Sequence, residues 1–153
     1  MASNMRDNPS ALGKVLQRDH DRLDQLFETY HESVAAPSAE RLARFAPFAA
    51  GLRSHIHFEE SHLFPDYQEG SPSRRATVEL MLDEHRRILD ALDRIEACFA
   101  TTPADTVEFE EELLNELWAH NAREEGAVYP WIDASLPLEE IARLSDLFVR
   151  RGA

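Results

Sequence analysis

His55-Ile56-His57-Phe58-Glu59-Glu60 returns 65 residues later as His120-Asn121-Ala122-Arg123-Glu124-Glu125. Each segment holds a histidine and a glutamate four residues apart, one turn along a single helix face. The offset persists on both sides of the motif. Upstream, Asp19-His20-Asp21-Arg22-Leu23 corresponds to Glu84-His85-Arg86-Arg87-Ile88; downstream, Phe64-Pro65 corresponds to Tyr129-Pro130. A duplicated helix pair of this kind places two equivalent hairpins about a pseudo-twofold axis. The repeated polar residues then meet at the centre.

Working outward, the flanking sequence supplies the helices. Leu12, Val15, Leu16, His20, Leu23, Phe27 and Tyr30 recur at spacings of three and four, behind the start signal Asn8-Pro9-Ser10. A second helix is expected from about Ala39 to Tyr67, on a stripe of Phe45, Phe48, Leu52, His55, Glu59 and Leu63. Pro47 should kink it or delay its regular start. A third helix, with Val78, Leu82, His85, Leu89 and Leu92 on one face, runs to about Phe99. The fourth carries Phe109, Leu113, Leu117, His120, Glu124 and Val128, and ends near Pro130. The fold class expected is all-α: an up-down-up-down four-helix bundle with a short extra C-terminal helix, Leu138 to Arg150, on its outside. The expected organisation is a tail over residues 1–9, the bundle over 10–134 and the C-terminal helix within 135–153.

The turns fix a height for the histidines. The midpoint of His20 and His55 falls near Pro37, that of His55 and His85 at Gly70, and that of His85 and His120 at Thr102-Pro103. All three midpoints are breaks in the helical pattern. Residues equidistant from a hairpin turn lie side by side, so His20, His55, His85 and His120 should share one level and point inward.

Composition narrows the chemistry. The chain has 153 residues, 43% hydrophobic and 29% charged, with five glycines, which suits a single helical domain. Twenty-nine acidic against sixteen basic residues give a net charge of −13, which argues against nucleic-acid or membrane partners. Met1 to Ser10 has no apolar core and no spanning run follows, so a cytoplasmic protein is expected. Cys98 is alone, which rules out an internal disulfide and a thiolate-rich metal site.

Two carboxylates and four imidazoles at one buried level need a partner, because burying ionised carboxylates unpaired is prohibitively costly. A pair of divalent cations meets that need. Each cation takes two imidazoles from His20, His55, His85 and His120, while Glu59 and Glu124 bridge. Nitrogen and oxygen donors without thiolate suit iron or manganese, with zinc as an alternative.

The six residues, with the trailing Leu63-Phe64-Pro65 and Val128-Tyr129-Pro130, resemble the hemerythrin-like family, also called the HHE cation-binding domain. The resemblance covers roughly Ser10 to Trp131 and is closest to a four-His, two-Glu branch. It implies a non-haem di-iron centre of two oxo- or hydroxo-bridged iron ions, held by His20, His55, Glu59, His85, His120 and Glu124, in preference to Mn or Zn. Oxygen carriers of the family have a further histidine where this chain has Leu89, and an aspartate one position beyond Glu124. The resemblance therefore implies a protein that binds or reacts with O2, NO or peroxide, in sensing, detoxification or an iron and oxygen response. Peroxide-consuming or oxidase-type turnover is left open. The alternatives are an iron-binding, storage or metal-responsive module without turnover, and a metal-free phosphotransfer or scaffolding bundle. No protein partner is identified.

The remaining candidates are weaker. Glu60 and Glu125 lie about 100° around the helix from the ligands and read as hydrogen-bond partners of the ligands or as surface charges, the surface slightly ahead. His62, whose repeat counterpart is Ala127, reads as a ligand's neighbour or a surface residue; His57 reads as solvent-facing, and His31, after Tyr30 near a helix end, carries no motif. Asp24, one turn after His20, is balanced between a ligand's hydrogen-bond partner and a flank charge. Leu23, Leu52, Leu89 and Leu117 are expected to line the site and limit water.

Overall fold

The computed structural model describes residues 11–151. Helices α1 (Leu12–His31), α2 (Ser38–Phe58), α4 (Pro72–Ala100) and α5 (Thr106–Arg123) form the bundle, with α1 packed on α2, α2 on α4 and α4 on α5. Short helices α3 (Phe64–Gln68) and α6 (Tyr129–Ser135) prolong α2 and α5, and α7 (Leu138–Arg150) follows. There is no strand among the described residues. The expected tail and the Asn8-Pro9-Ser10 start signal lie outside the described residues.

Local chemistry accounts for the helix ends. Gly70, at φ 75°, turns the chain into α4, where Ser71 caps the helix by accepting from Arg74 N at 3.2 Å and Pro72 fills the first position. At α1 the cap comes from a distant residue. Asp133 on α6 accepts from Gly13 N at 3.1 Å, and a Cβ on Gly13 would stand 2.6 Å from that carboxylate, so the close approach needs glycine.

Two expectations for α2 change. The helix runs through Pro47 as one element. A proline inside a helix costs about 3 kcal/mol, and burial of Phe45 and Phe48, both fully enclosed, offsets a cost of that size. The α-helical register instead breaks later, at a wide π turn over Glu59–Leu63. A second π turn occupies Glu124–Val128, at the corresponding place in the repeat. Phe64 N donates to Glu59 O, and Tyr129 N to Glu124 O, five residues back in each case. Pro65 and Pro130 follow immediately, and neither has an N–H to continue the α-helical ladder.

The core is divided. One apolar cluster, including Leu12, Leu16, Leu63, Met81 and Ile132, fills the end of the bundle near the π turns. The other, including Phe27, Tyr30, Phe45, Phe48, Leu92 and Ile95, fills the opposite end. The four histidines and the candidate ligands Glu59 and Glu124 form a polar layer between them. Helix α7 lies closer to that layer than expected of an external helix: Ile141, Leu144 and Phe148 join the first cluster, and the Phe148 ring meets His55 edge-on at 5.5 Å.

Candidate metal centre

The four imidazoles reach the centre from four helices: His20 on α1, His55 on α2, His85 on α4 and His120 on α5. Their Nε2 atoms point inward in two pairs. Those of His20 and His55 are 3.1 Å apart, and those of His85 and His120 are 3.0 Å apart. Glu59 and Glu124, both 0% exposed, stand between the pairs. Glu59 directs Oε2 towards His55 Nε2 at 3.5 Å and Oε1 towards His85 Nε2 at 3.4 Å. Glu124 Oε1 lies 3.4 Å from His20 Nε2 and 3.0 Å from His120 Nε2. Each carboxylate thus faces both imidazole pairs.

Donor groups of this kind resolve into two sets, His20 with His55 and Glu124, and Glu59 with His85 and His120. Within each set the ligand atoms lie no more than 4.8 Å apart. Glu59 Oε1 and both oxygens of Glu124 have no hydrogen-bond donor. Carboxylate oxygens buried this completely, with no donor and ringed by nitrogen lone pairs, fit cations and little else.

Around the ring, carboxylates set the tautomers. Asp19 accepts from His55 Nδ1 at 2.8 Å, Glu60 from His85 Nδ1 at 2.9 Å, and Glu84 from His120 Nδ1 at 3.3 Å. An ionised carboxylate can only accept, so Nδ1 carries the hydrogen and Nε2 is left as the inward lone pair. Glu60 therefore bonds a candidate ligand, the less favoured of its two sequence readings. Its carboxylate bends back from a half-exposed position to reach α4. His20 alone among the four lacks such a partner. Its Nδ1 is unbonded, and Glu125 Oε1 stays 3.9 Å away.

The supporting carboxylates are themselves anchored. Asp19 accepts from Arg22 Nε at 2.9 Å and from Arg151 Nη2, just past α7, at 3.0 Å. Glu84 accepts from Arg123 Nη1 at 2.6 Å. Burial pushes both acids up, but His55 and Arg22 beside Asp19, and His120 and Arg123 beside Glu84, hold them below the usual range. Burial also pushes the imidazoles of His55 and His120 down, and the acids reverse it. Glu59 and Asp19 raise His55 to about 9, while Glu124, Glu59 and Glu84 raise His120 to about 12. A protonated imidazole is the substitute for a cation at such a site, and a metal displaces that proton.

A comparison with known families aligns residues 12–132 with the hemerythrin HHE cation-binding domain. The chain belongs to the hemerythrin HHE family. No curated protein and no solved structure matches it. No described helix is long and apolar enough to cross a membrane.

Beyond the six expected residues, this hemerythrin-like chain places Tyr129 inside the centre. Its hydroxyl donates to Glu59 Oε2 at 2.9 Å and lies 3.1 Å from His20 Nε2 and 3.3 Å from His55 Nε2. Burial, and then the charges of Glu124 and Glu59, push its phenol well above the ordinary value. Phe64, its repeat counterpart, has no oxygen and stacks on His85 at 5.3 Å and 19°. On an α-helix a residue five beyond Glu124 points about 140° away from it. The π turn removes most of that rotation and returns Tyr129 to the ligand face. The signal in the sequence is Pro130, six residues after Glu124, matching Pro65 after Glu59.

The other candidates fall outside. His57 and His31 are exposed, and His62 packs on Phe58 at 5.2 Å. Asp24 helps line a cleft of about 520 Å³ between α1 and α5, with His20 at its floor and Leu117, Trp118, Asn121 and Glu125 around it. Burial, opposed by His20 and aided by Asp21, raises its carboxyl. Leu23, Leu52 and Leu117 are buried below the polar layer, with Leu89 partly buried beside them.

Proposed function

We propose that this hemerythrin HHE domain is a cytoplasmic di-iron protein whose centre binds or reacts with O2, NO or peroxide. His20 and His55 would hold one iron and His85 and His120 the other, with Glu59 and Glu124 placed to reach both. The observation that carries this reading is the pair of fully buried glutamates, three of whose oxygens lack a hydrogen-bond donor, enclosed by four inward Nε2 atoms. When bound, iron supplies a redox-active Lewis acid able to take a diatomic molecule or peroxide.

The chain's own residues provide selection and access. The apolar clusters on either side of the polar layer exclude bulk water and charged solutes. The cleft beside Asp24 and Asn121 leads to His20, the least restrained imidazole, and so supplies the route for a small ligand. Asp19, Glu60 and Glu84 hold the other three rings in the inward tautomer.

The test is metal content in protein purified without added metal or chelator, followed by anaerobic iron(II) loading and exposure to oxygen or nitric oxide. Two irons per chain, with new near-ultraviolet or visible bands on exposure, are expected. Zinc alone, or no bound metal, overturns the reading. Two irons with no response to either gas or to peroxide would favour an iron-storage or metal-responsive module. The full burial of the bridging acids accommodates that second reading too, since it ties folding to occupancy.

A further inference from the structure

The geometry points to Tyr129 as a seventh metal ligand, a phenolate that binds the iron of the His20–His55 pair and makes the two irons chemically unequal. This rests on the di-iron reading above. The Tyr129 oxygen, His20 Nε2 and His55 Nε2 form a nearly equilateral triangle with sides of 3.1, 3.1 and 3.3 Å. Neighbouring donors on a six-coordinate ion, each roughly 2.1 Å from the metal, stand about 3 Å apart. The triangle is therefore the size of one coordination face.

The fourth contact is consistent with the same assignment. The Tyr129 hydroxyl donates to Glu59 Oε2 at 2.9 Å, the oxygen that Glu59 turns towards His55. On coordination the O–H bond breaks, an oxygen–iron bond forms and the proton leaves to solvent, freeing Glu59 Oε2 for the same ion. No electron is transferred in the exchange. The other half cannot do this, because Phe64 occupies the equivalent place. Tyr129 is also fixed where it stands. The π turn at Glu124–Val128 carries its backbone, Pro130 follows it, and the residue is 3% exposed.

A phenolate on iron(III) has a charge-transfer band in the visible region, which carboxylate and imidazole ligands do not produce. The experiment compares iron(III)-loaded wild-type protein with Tyr129→Phe, which keeps the ring and changes only the oxygen. Iron per chain, visible absorption and resonance Raman within the band are measured together. The expected result is two irons per chain in both proteins, phenolate ring modes in the wild type, and complete loss of the band in Tyr129→Phe. Protein loaded with zinc should show no band in either form. Two irons with no visible band in the wild type, or a band that survives Tyr129→Phe, overturns the assignment and leaves the di-iron reading standing. If the wild type binds no iron, the di-iron reading fails and this inference falls with it.

Discussion

The two halves of the repeat place the same backbone and the same imidazoles around the centre, yet they differ in what surrounds them. At His20 and His55 there is a phenol oxygen, one imidazole without an Nδ1 partner, and a cleft to the surface. At His85 and His120 both rings are bonded through Nδ1, and the Phe64 ring stacks on His85. One half is closed and held on every ring, and the other is left able to change. The frame is symmetric, and the asymmetry lies in a few equivalent positions that carry different residues, Tyr129 against Phe64 above all.

The largest test of this comparison is removal of the metal, which the two halves share. A cation present at a thousand times its Kd contributes about 4 kcal/mol, roughly 8–16 °C in Tm for a chain of this length. Chelation should lower the melting temperature by at least one such step, read by circular dichroism, and an unchanged melt would remove the cations from the account. Next come the supports of the two rings related by the repeat, His55 and His120. Asp19→Ala and Glu84→Ala should each weaken metal binding by about 10–100-fold. The loss should be greater for Asp19, whose contact is 2.8 Å against 3.3 Å, as measured by competition with a chromophoric chelator. Equal losses would erase that difference between the halves.

Glu60→Ala and Glu125→Ala then separate the remaining pair. The first should cost about tenfold in affinity. The second should leave affinity unchanged, because Glu125 stands too far from His20 to bond it. The smallest effect is expected at Arg151. Its guanidinium joins Asp19, Ser54 Oγ at 3.0 Å and the Phe148 ring, tying the end of α7 to one half only. Arg151→Ala should reduce stability by about 1 kcal/mol, discounted for its partial exposure, and lower Tm by roughly 2–4 °C.

Much of this was legible in the chain because it follows from periodicity. The shared level of His20, His55, His85 and His120 is a matter of counting to the turns, and helical spacing puts Glu59 and Glu124 on the histidine face. What escaped is what departs from an ideal helix or crosses between elements. Tyr129 entered only as part of the trailing Val128-Tyr129-Pro130 motif, because α-helical spacing points it away from Glu124 and only the π turn brings it back. Asp19 and Glu84 each precede a ligand histidine in the sequence but serve the histidine of the neighbouring helix, so adjacency along the chain concealed their target. Glu60 was hidden similarly, since its bond runs from one helix pair to the other. Arg151 acts across 132 positions of chain, a distance no local pattern spans.

The divided core has a consequence for cooperativity. Two apolar clusters touch across a layer of charge instead of merging. Without cations, that layer is where like charges and unmet acceptors concentrate, and it offers a natural plane along which the ends of the bundle can open independently. With cations in place, the same layer binds four helices at once and couples the ends. Hydrogen exchange should accordingly see one protected unit in the loaded protein and two, of unequal protection, in the stripped one. Metal occupancy would then be read by the whole molecule as a change in how many pieces it unfolds in.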